Sequence, residues 1–474
     1  MRIACARLVL PDRVHTDVLV EMDDAGVVTA IGPAGPGDGS GDGPGDGSGD
    51  GPGDGSGDGP GDGSGDVRGA GLAAGPPDLS VDLAAPAFAN THSHAFHRLL
   101  RGRTNGGGGD FWRWREQMYR VAGTLDPDGL RAAATAVYAE MVAAGYSAVG
   151  EFHYLHHDPD GTPYPGHAME MALVEAAEEA GIRLTLLDTL YLRGGFGTDL
   201  ADAQRRFSDG TVERWHARWH ALDDALRASH PHVTLGAALH SVRAVDPAHL
   251  AAAVAGLPGH VPLHVHLSEQ TRENDECLAA TGLTPTALLD RAGALDVRTT
   301  VVHATHLSAA GVAALGAAHV SVSMCPTTEA DLGDGLGRAS SLADAGARVT
   351  IGSDQNVVVD PFDELRRLEG GARLASHRRG VFSPAALWRA GTADGHAALA
   401  PLGTPGQALE VGRPLDLAIL DARSARTVGS DPHELVLAAS AADVTATVVR
   451  GRHRASSELR GLAVDAYLRQ GVHA

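Results

Sequence analysis

The stretch "NTHSHAFHR", residues 90–98, places three histidines in six positions directly after an apolar run. In a β-strand, residues i and i+2 share one face, so His92 and His94 can direct their ring nitrogens at a single point. In a chain with 25 histidines, one such pair can also arise by chance. The pair predicts half of a metal site if further ligands follow at other strand ends.

The middle of the chain alternates between short apolar runs and helical patterns such as 128–145 and 167–181, each ending near a glycine. Eight such strands predict a (β/α)8 TIM-type barrel over residues 85–405. A doubly wound open sheet would alternate too, but no GxGxxG motif follows the first strand. The strand candidates are 82–90, 147–152, 183–190, 233–239, 261–267, 299–304, 320–325 and 348–354.

Both chain ends contain strand patterns separated by turn residues. They predict a small β-sandwich domain assembled from residues 1–84 and 406–474. Within the first part, residues 35–66 are four copies of the octapeptide "GPGDGSGD". This segment lacks apolar residues and is half glycine, so we expect a disordered insertion.

Composition excludes several classes of protein. The net charge of −21 argues against nucleic acid and anionic membranes as partners. We find no apolar run of the ~18 residues that span a bilayer and no secretory signal. The three cysteines show neither ligand-like nor disulfide-like spacing, which suits a cytoplasmic protein.

In a barrel of this type, the active-site residues lie at the carboxyl ends of the strands. His266 lies near the end of the fifth strand candidate, and Asp354 ends the eighth. Together with His92 and His94 they predict a site for one divalent cation; three imidazoles and a carboxylate suit zinc, and Fe²⁺ can occupy the same set. His264 should face the same way one layer deeper, where we expect packing.

The motifs at these strand ends resemble the amidohydrolase superfamily, and more specifically its formimidoylglutamate deiminase family. We see no lysine placed to be a bridging carbamate, which favours the single-metal deaminase type. The similarity covers nearly the whole chain outside the octapeptide insert. It is carried by "HSHAF" (92–96), "DFWRWREQMYR" (110–120), "EFHYLHH" (151–157), "HSVRAV" (240–245), "VHATH" (302–306), "CPTTEADLGDG" (325–335) and "IGSDQN" (351–356).

The resemblance implies hydrolysis of N-formimidoyl-L-glutamate to N-formyl-L-glutamate and ammonia, a step of histidine degradation, by a homodimer. Glu269, three residues after a metal histidine, is placed to move a proton from water to the departing nitrogen. His303 would hydrogen bond the attacking water, and Asp354 shares the base role.

A dicarboxylate substrate needs cationic and neutral hydrogen-bonding partners. Arg243 and Arg115 can each pair with a carboxylate, although stacking among neighbouring aromatic residues is an equal alternative for Arg115 on residue type alone. Tyr154 and His240 can add neutral hydrogen bonds. His97 stands where the resemblance implies a glutamine, and we expect it to face the substrate.

Two other functions remain open. A sister deaminase acting on guanine, cytosine or S-adenosylhomocysteine would share the metal site, but two arginines in the pocket disfavour a ring substrate. The compact zinc deaminases that act on nucleobases are disfavoured further, because neither H-x-E nor P-C-x-x-C occurs where needed. A metal-binding barrel without catalysis would have no need of Glu269 and His303.

Overall fold

Two sheets organise the computed structural model, which describes residues 1–34, 75–104, 111–404 and 409–469. The octapeptide repeat 35–66 lies outside these residues. The strands are β1 (Arg2–Val9), β2 (Val14–Met22), β3 (Val28–Pro33), β4 (Leu79–Pro86), β5 (Phe88–Ser93), β6 (Tyr146–His153), β7 (Arg183–Leu190), β8 (Thr234–Ser241), β9 (Leu263–Leu267), β10 (Thr299–His303), β11 (Ser321–Met324), β12 (Arg348–Ile351), β13 (Leu417–Leu420), β14 (Val444–Val449) and β15 (Arg452–Ala455).

Helices separate most of the central strands. They are α1 (Phe111–Ala122), α2 (Pro127–Ala143), α3 (Ala168–Ala180), α4 (Val212–Ser229), α5 (Pro247–Ala255), α6 (Thr271–Thr281), α7 (Pro285–Arg291), α8 (Ala309–Ala317), α9 (Pro326–Leu332), α10 (Ala339–Ala345), α11 (Pro361–Ser376), α12 (Pro384–Gly391), α13 (Ala393–Leu399), α14 (Leu435–Ala438) and α15 (Ser456–Arg469). Single 3-10 turns occupy Ala95–Leu100, Pro165–His167, Asp202–Phe207 and Ala441–Asp443.

Local sequence signals explain where helix α2 begins and where helix α3 ends. The side chain of Asp126 accepts a hydrogen bond from the Gly129 amide and caps α2, which starts with a proline. Helix α3 ends at Gly181, whose φ of 78° lies in the left-handed region that glycine adopts without strain. Among the described residues, none of the helices is both long and apolar enough to span a membrane.

The central sheet is a parallel barrel. Its eight strands run in sequence order from β5 to β12. A parallel bridge between Ser93 and Asp354 joins the two ends of this sheet. Across this seam the His94 amide donates to the Asp354 carbonyl and the Asp354 amide donates to the His92 carbonyl, both at 2.9 Å. The (β/α)8 fold expected from the alternation is confirmed.

The first predicted strand, 82–90, is wrong as a single strand. Residues up to Pro86 belong to β4 of the second sheet, and β5 of the barrel begins at Phe88. Both strands are apolar and only Ala87 separates them, so hydrophobic pattern alone could not reveal the change of sheet.

The second sheet is built from both ends of the chain, as expected, in the order β15-β14-β13-β4-β1-β2-β3. Alternation along β4 gives the sheet two apolar faces. Leu83 and Ala85 pack into the main core, whereas Ala84 joins a separate cluster with residues such as Ile3 and Leu417. Strand β4 thus attaches the terminal sheet to the strand that carries His92 and His94.

Candidate active site

Three imidazoles and one carboxylate meet at the carboxyl end of the barrel. Nε2 of His266 lies 3.1 Å from Nε2 of His92 and 3.4 Å from Nε2 of His94. Oδ1 of Asp354 lies 3.3 Å from Nε2 of His92 and 3.5 Å from Nε2 of His94. The structure therefore brings all four predicted metal ligands together.

Backbone carbonyls orient two of these rings. Nδ1 of His94 lies 2.8 Å from the Phe152 carbonyl, and Nδ1 of His266 lies 2.9 Å from the His240 carbonyl. A carbonyl only accepts, so each Nδ1 carries the proton and each Nε2 offers a lone pair to the centre of the cluster.

This donor set fits a divalent cation. Burial lowers the pKa of His92, His94 and His266 well below the usual range, so the rings are neutral. The Nε2 lone pairs of His94 and His266 then face each other without a proton between them, which only a shared positive charge makes favourable. Neutral imidazoles with a carboxylate are a zinc-type ligand set, and the chain contains no lysine for a bridging carbamate.

Glu269 and His303 lie at the same end of the barrel. Nε2 of His303 is 3.8 Å from Oε1 of Glu269 and 3.9 Å from Oδ2 of Asp354, while its Nδ1 is 3.5 Å from Oε1 of Glu329. Burial raises the pKa of Glu269 to about 7, against the lowering effect of His303. Burial lowers the pKa of His303, but Glu269, Glu329 and Asp354 outweigh it and raise the pKa to about 10.

One cavity connects this centre to the predicted substrate residues. It is lined by all five of them and by three of the metal-ligand candidates, Glu269 and His303. The five are His97, Arg115, Tyr154, His240 and Arg243.

Both arginines lie near the Trp112 indole. The guanidinium carbon of Arg115 lies 4.8 Å from the Trp112 ring centroid, and that of Arg243 lies 6.0 Å from it. Nε of Arg243 donates to Glu273 at 3.0 Å. No carboxylate of the described residues pairs with Arg115. Arg115 thus both stacks on Trp112 and lines the cavity, and its guanidinium can still bind an anion.

The neutral groups are packed around the metal-ligand candidates. Nε2 of His97 lies 2.8 Å from the Tyr154 hydroxyl. Rings of Tyr154 and Tyr191 contact His240, with centroids 5.5 and 4.5 Å away. This side of the cavity therefore combines hydroxyl and imidazole groups with aromatic walls.

Sequence reasoning missed several cavity residues, notably Tyr119 and Tyr191. Gln204 donates to both hydroxyls, at 3.0 and 2.7 Å, and so links α1 to the loop after β7. Tyr191 directly follows β7, so applying the strand-end rule to that strand would have found it. Trp114, Phe111, Met118, Phe207 and Leu332 complete the apolar lining.

Not every histidine at a strand end belongs to the site. Within "EFHYLHH" only Tyr154 lines the cavity. His156 instead pairs with Glu170 at 2.9 Å, and Arg218 bridges Glu170, Asp188 and Asp209 in the same buried network. His264 is fully buried near the Ala398 carbonyl, consistent with the packing role expected of it.

Comparison with known proteins defines the class of protein. The amidohydrolase family model matches residues 83–454, and the chain belongs to this family. The motif resemblance is also confirmed: formimidoylglutamate deiminase of Pseudomonas aeruginosa is 39% identical over 360 residues, covering 73% of this chain and 77% of the relative.

Other relatives share the fold or the general chemistry. A 5-methylthioadenosine/S-adenosylhomocysteine deaminase of Natronomonas pharaonis is 30% identical over 390 residues, covering 80% of this chain and 83% of the relative. The crystal structure of an amidohydrolase from Brucella melitensis superimposes with a TM-score of 0.82 at 31% identity, covering 99% of this chain and all of that one. The chain is accordingly a hydrolase of the amidohydrolase family, related to deaminases.

Proposed function

We propose that the protein hydrolyses N-formimidoyl-L-glutamate to N-formyl-L-glutamate and ammonia, as a step of histidine degradation. The observation that carries this proposal is the placement of Arg115 and Arg243 in the same cavity as Glu269. Two guanidiniums suit the two carboxylates of a glutamyl group, and charge-assisted pairs of this kind are the strong hydrogen bonds of proteins. Similarity to the Pseudomonas aeruginosa enzyme supports the same substrate.

A divalent cation held by His92, His94, His266 and Asp354 would supply the Lewis acidity that makes water a nucleophile near neutral pH. We favour zinc for this donor set. The remaining steps are assigned to side chains of the chain itself.

Glu269 would act as the proton carrier. In the reaction, water adds to the formimidoyl carbon, the bond from that carbon to the terminal nitrogen breaks, and ammonia leaves. Glu269 accepts a proton from the attacking water and delivers it to the terminal nitrogen; the hydroxyl proton of the tetrahedral intermediate then passes through Glu269 to the same nitrogen as the C–N bond breaks and the carbonyl forms. A pKa of about 7 suits both transfers, because proton transfer is most effective when the carrier's pKa lies near the working pH.

His303 and Asp354 would orient the attacking water beside Glu269. Against the lowering effect of burial, Glu269 and Glu329 raise the pKa of His303, and its ring can donate a hydrogen bond to the developing tetrahedral centre. Tyr154, His240 and His97 would contact the polar groups of the substrate between its carboxylates and its formimidoyl end.

An ammonia-release assay tests the proposal directly. Purified protein of known metal content is offered formimidoylglutamate, formimidoylaspartate and guanine at equal concentrations. We expect the highest kcat/KM with formimidoylglutamate, because the shorter dicarboxylate presents its two carboxylates at a different spacing from its formimidoyl group. Preferential turnover of guanine would instead identify a ring deaminase. Metal-loaded protein without ammonia release from any of these compounds would indicate a non-catalytic barrel.

A further inference from the structure

His97 lies beside the cluster of metal-ligand candidates and not only beside the substrate cavity. Its ring centroid is 4.4 Å from that of His94. One of its ring nitrogens lies within 4.8 Å of a ring nitrogen of His94 and of a carboxylate oxygen of Asp354. His97, His94 and Asp354 therefore form a second donor group that shares two members with the first.

His97 shares one feature with His94 and His266, although its oxygen-bound nitrogen is Nε2 where theirs is Nδ1. In each ring one nitrogen is bound to an oxygen, which for His97 is the Tyr154 hydroxyl at 2.8 Å from Nε2. Its Nδ1 is buried and has no hydrogen-bonding partner in the described part of the chain. An imidazole with one nitrogen tied to oxygen and the other left over is the usual state of a metal-binding histidine.

Packing keeps the ring in this position. The His97 side chain is 3% exposed and lies between aromatic neighbours, with centroids 4.4 Å from Phe96 and 5.1 Å from Trp114. A buried ring nitrogen without a partner costs free energy, which a cation would recover.

We propose that His97 is an additional ligand of the cation, extending the donor set to four imidazoles and one carboxylate. This inference rests on the cation of the proposed function, but not on the identity of the substrate. It assigns His97 to metal binding in addition to the substrate contact expected from the sequence.

A measurement of cation affinity distinguishes metal binding by His97 from substrate contact alone. Apo-protein prepared with a chelator is titrated with Zn²⁺ against a chromophoric competitor, and with Co²⁺ while its visible absorption is recorded. We expect His97→Gln to weaken Zn²⁺ binding about tenfold or more and to change the Co²⁺ spectrum. The matched control is His240→Gln, which removes a cavity imidazole that packs on the His266 ring but keeps the backbone carbonyl that accepts from Nδ1 of His266; it should leave both readouts unchanged.

Wild-type affinity and an unchanged Co²⁺ spectrum in His97→Gln would overturn the proposal and leave His97 as a substrate residue. Should that variant fail to fold, X-ray absorption of the zinc-loaded wild-type protein decides: four coordinated imidazoles are expected, and three would refute the assignment. Neither readout depends on turnover, so inactivity toward formimidoylglutamate would contradict the proposed function without touching this one.

Discussion

Ser93 and Asp354 pair in parallel register across the seam where the first and last barrel strands meet. The amides of His94 and Asp354 form the hydrogen bonds on either side of this pair. Three of the four predicted cation ligands therefore lie within one residue of the seam. The contacts that close the barrel therefore also bring these cation ligands together.

We expect Gly352→Ala to damage the cation site. A Cβ at this position would lie 2.7 Å from Cβ and 2.9 Å from the carbonyl oxygen of His92. Such overpacking costs about 1–3 kcal/mol of stability and displaces His92 from its partners. Zinc titration and urea unfolding measure both effects. Gly370→Ala, in α11 with nothing within 4 Å of the added carbon, is the control and should bind zinc normally.

We expect Glu269→Gln to keep the cation and lose turnover. The amide preserves the shape of the side chain but cannot carry a proton, and removing a general acid–base group typically lowers kcat by about 10²–10⁴-fold. Elemental analysis and ammonia release should be measured on the same sample. A kcat close to that of wild type would remove Glu269 from the mechanism.

We expect Arg243→Ala to raise KM for formimidoylglutamate more than it lowers kcat. The lost bond to a substrate carboxylate is worth about 1.5–3 kcal/mol, which corresponds to roughly 10- to 150-fold in kcat/KM. Steady-state kinetics distinguish the two parameters. The control is Arg227→Ala, an exposed arginine paired with Asp223 on α4; equal KM values for the two variants would argue against carboxylate binding by Arg243.

A pH-dependent loss of stability is expected at His396. Its Nε2 lies 3.0 Å from the Ala87 carbonyl and its Nδ1 3.0 Å from an Arg183 nitrogen, and burial lowers its pKa to about 3. The unfolded chain binds a proton at this residue below its usual pKa of ~6.5, so stability falls as the pH drops from there toward 3. Between pH 7 and 5 the loss is roughly 2 kcal/mol.

The isosteric variant His396→Gln tests this expectation. Glutamine can make the same two hydrogen bonds but does not titrate, so it should lose less stability in urea unfolding between pH 7 and 5 than wild type does. Other buried histidines contribute equally to both proteins and cancel in the comparison. Identical pH dependences would show that His396 is not the responsible group.

Much of the fold and site follows from local sequence. The alternation of strands and helices gives the barrel, and the positions of His266 and Asp354 at strand ends bring them to His92 and His94. Two features could not be read in this way. The change of sheet at Ala87 has no hydrophobic signature, and Tyr119 reaches the cavity through its link to Gln204, which depends on tertiary packing.

The role of a residue at a strand end is harder to predict from the sequence than its position is. His153 and His156 occupy a strand end as clearly as His94 does, yet they join the Glu170 network. Their side chains pair with Glu170 and do not line the cavity, which the alternation of side chains along a strand does not predict. His97 shows the same limit. The sequence predicted that it contacts the substrate, whereas the structure also places it near the candidate ligands of the cation.

The position of β4 between β1 and β13 has a consequence for biosynthesis. All eight barrel strands leave the ribosome before residues 417–420 do, so the nascent chain carries β4 with one unpaired edge while its catalytic half is already complete. Open strand edges recruit neighbouring chains, and incompletely synthesised copies on one messenger lie close together. Solubility during translation therefore depends on strands made after the barrel, and a premature stop before β13 should yield aggregates even though every proposed cation ligand is present.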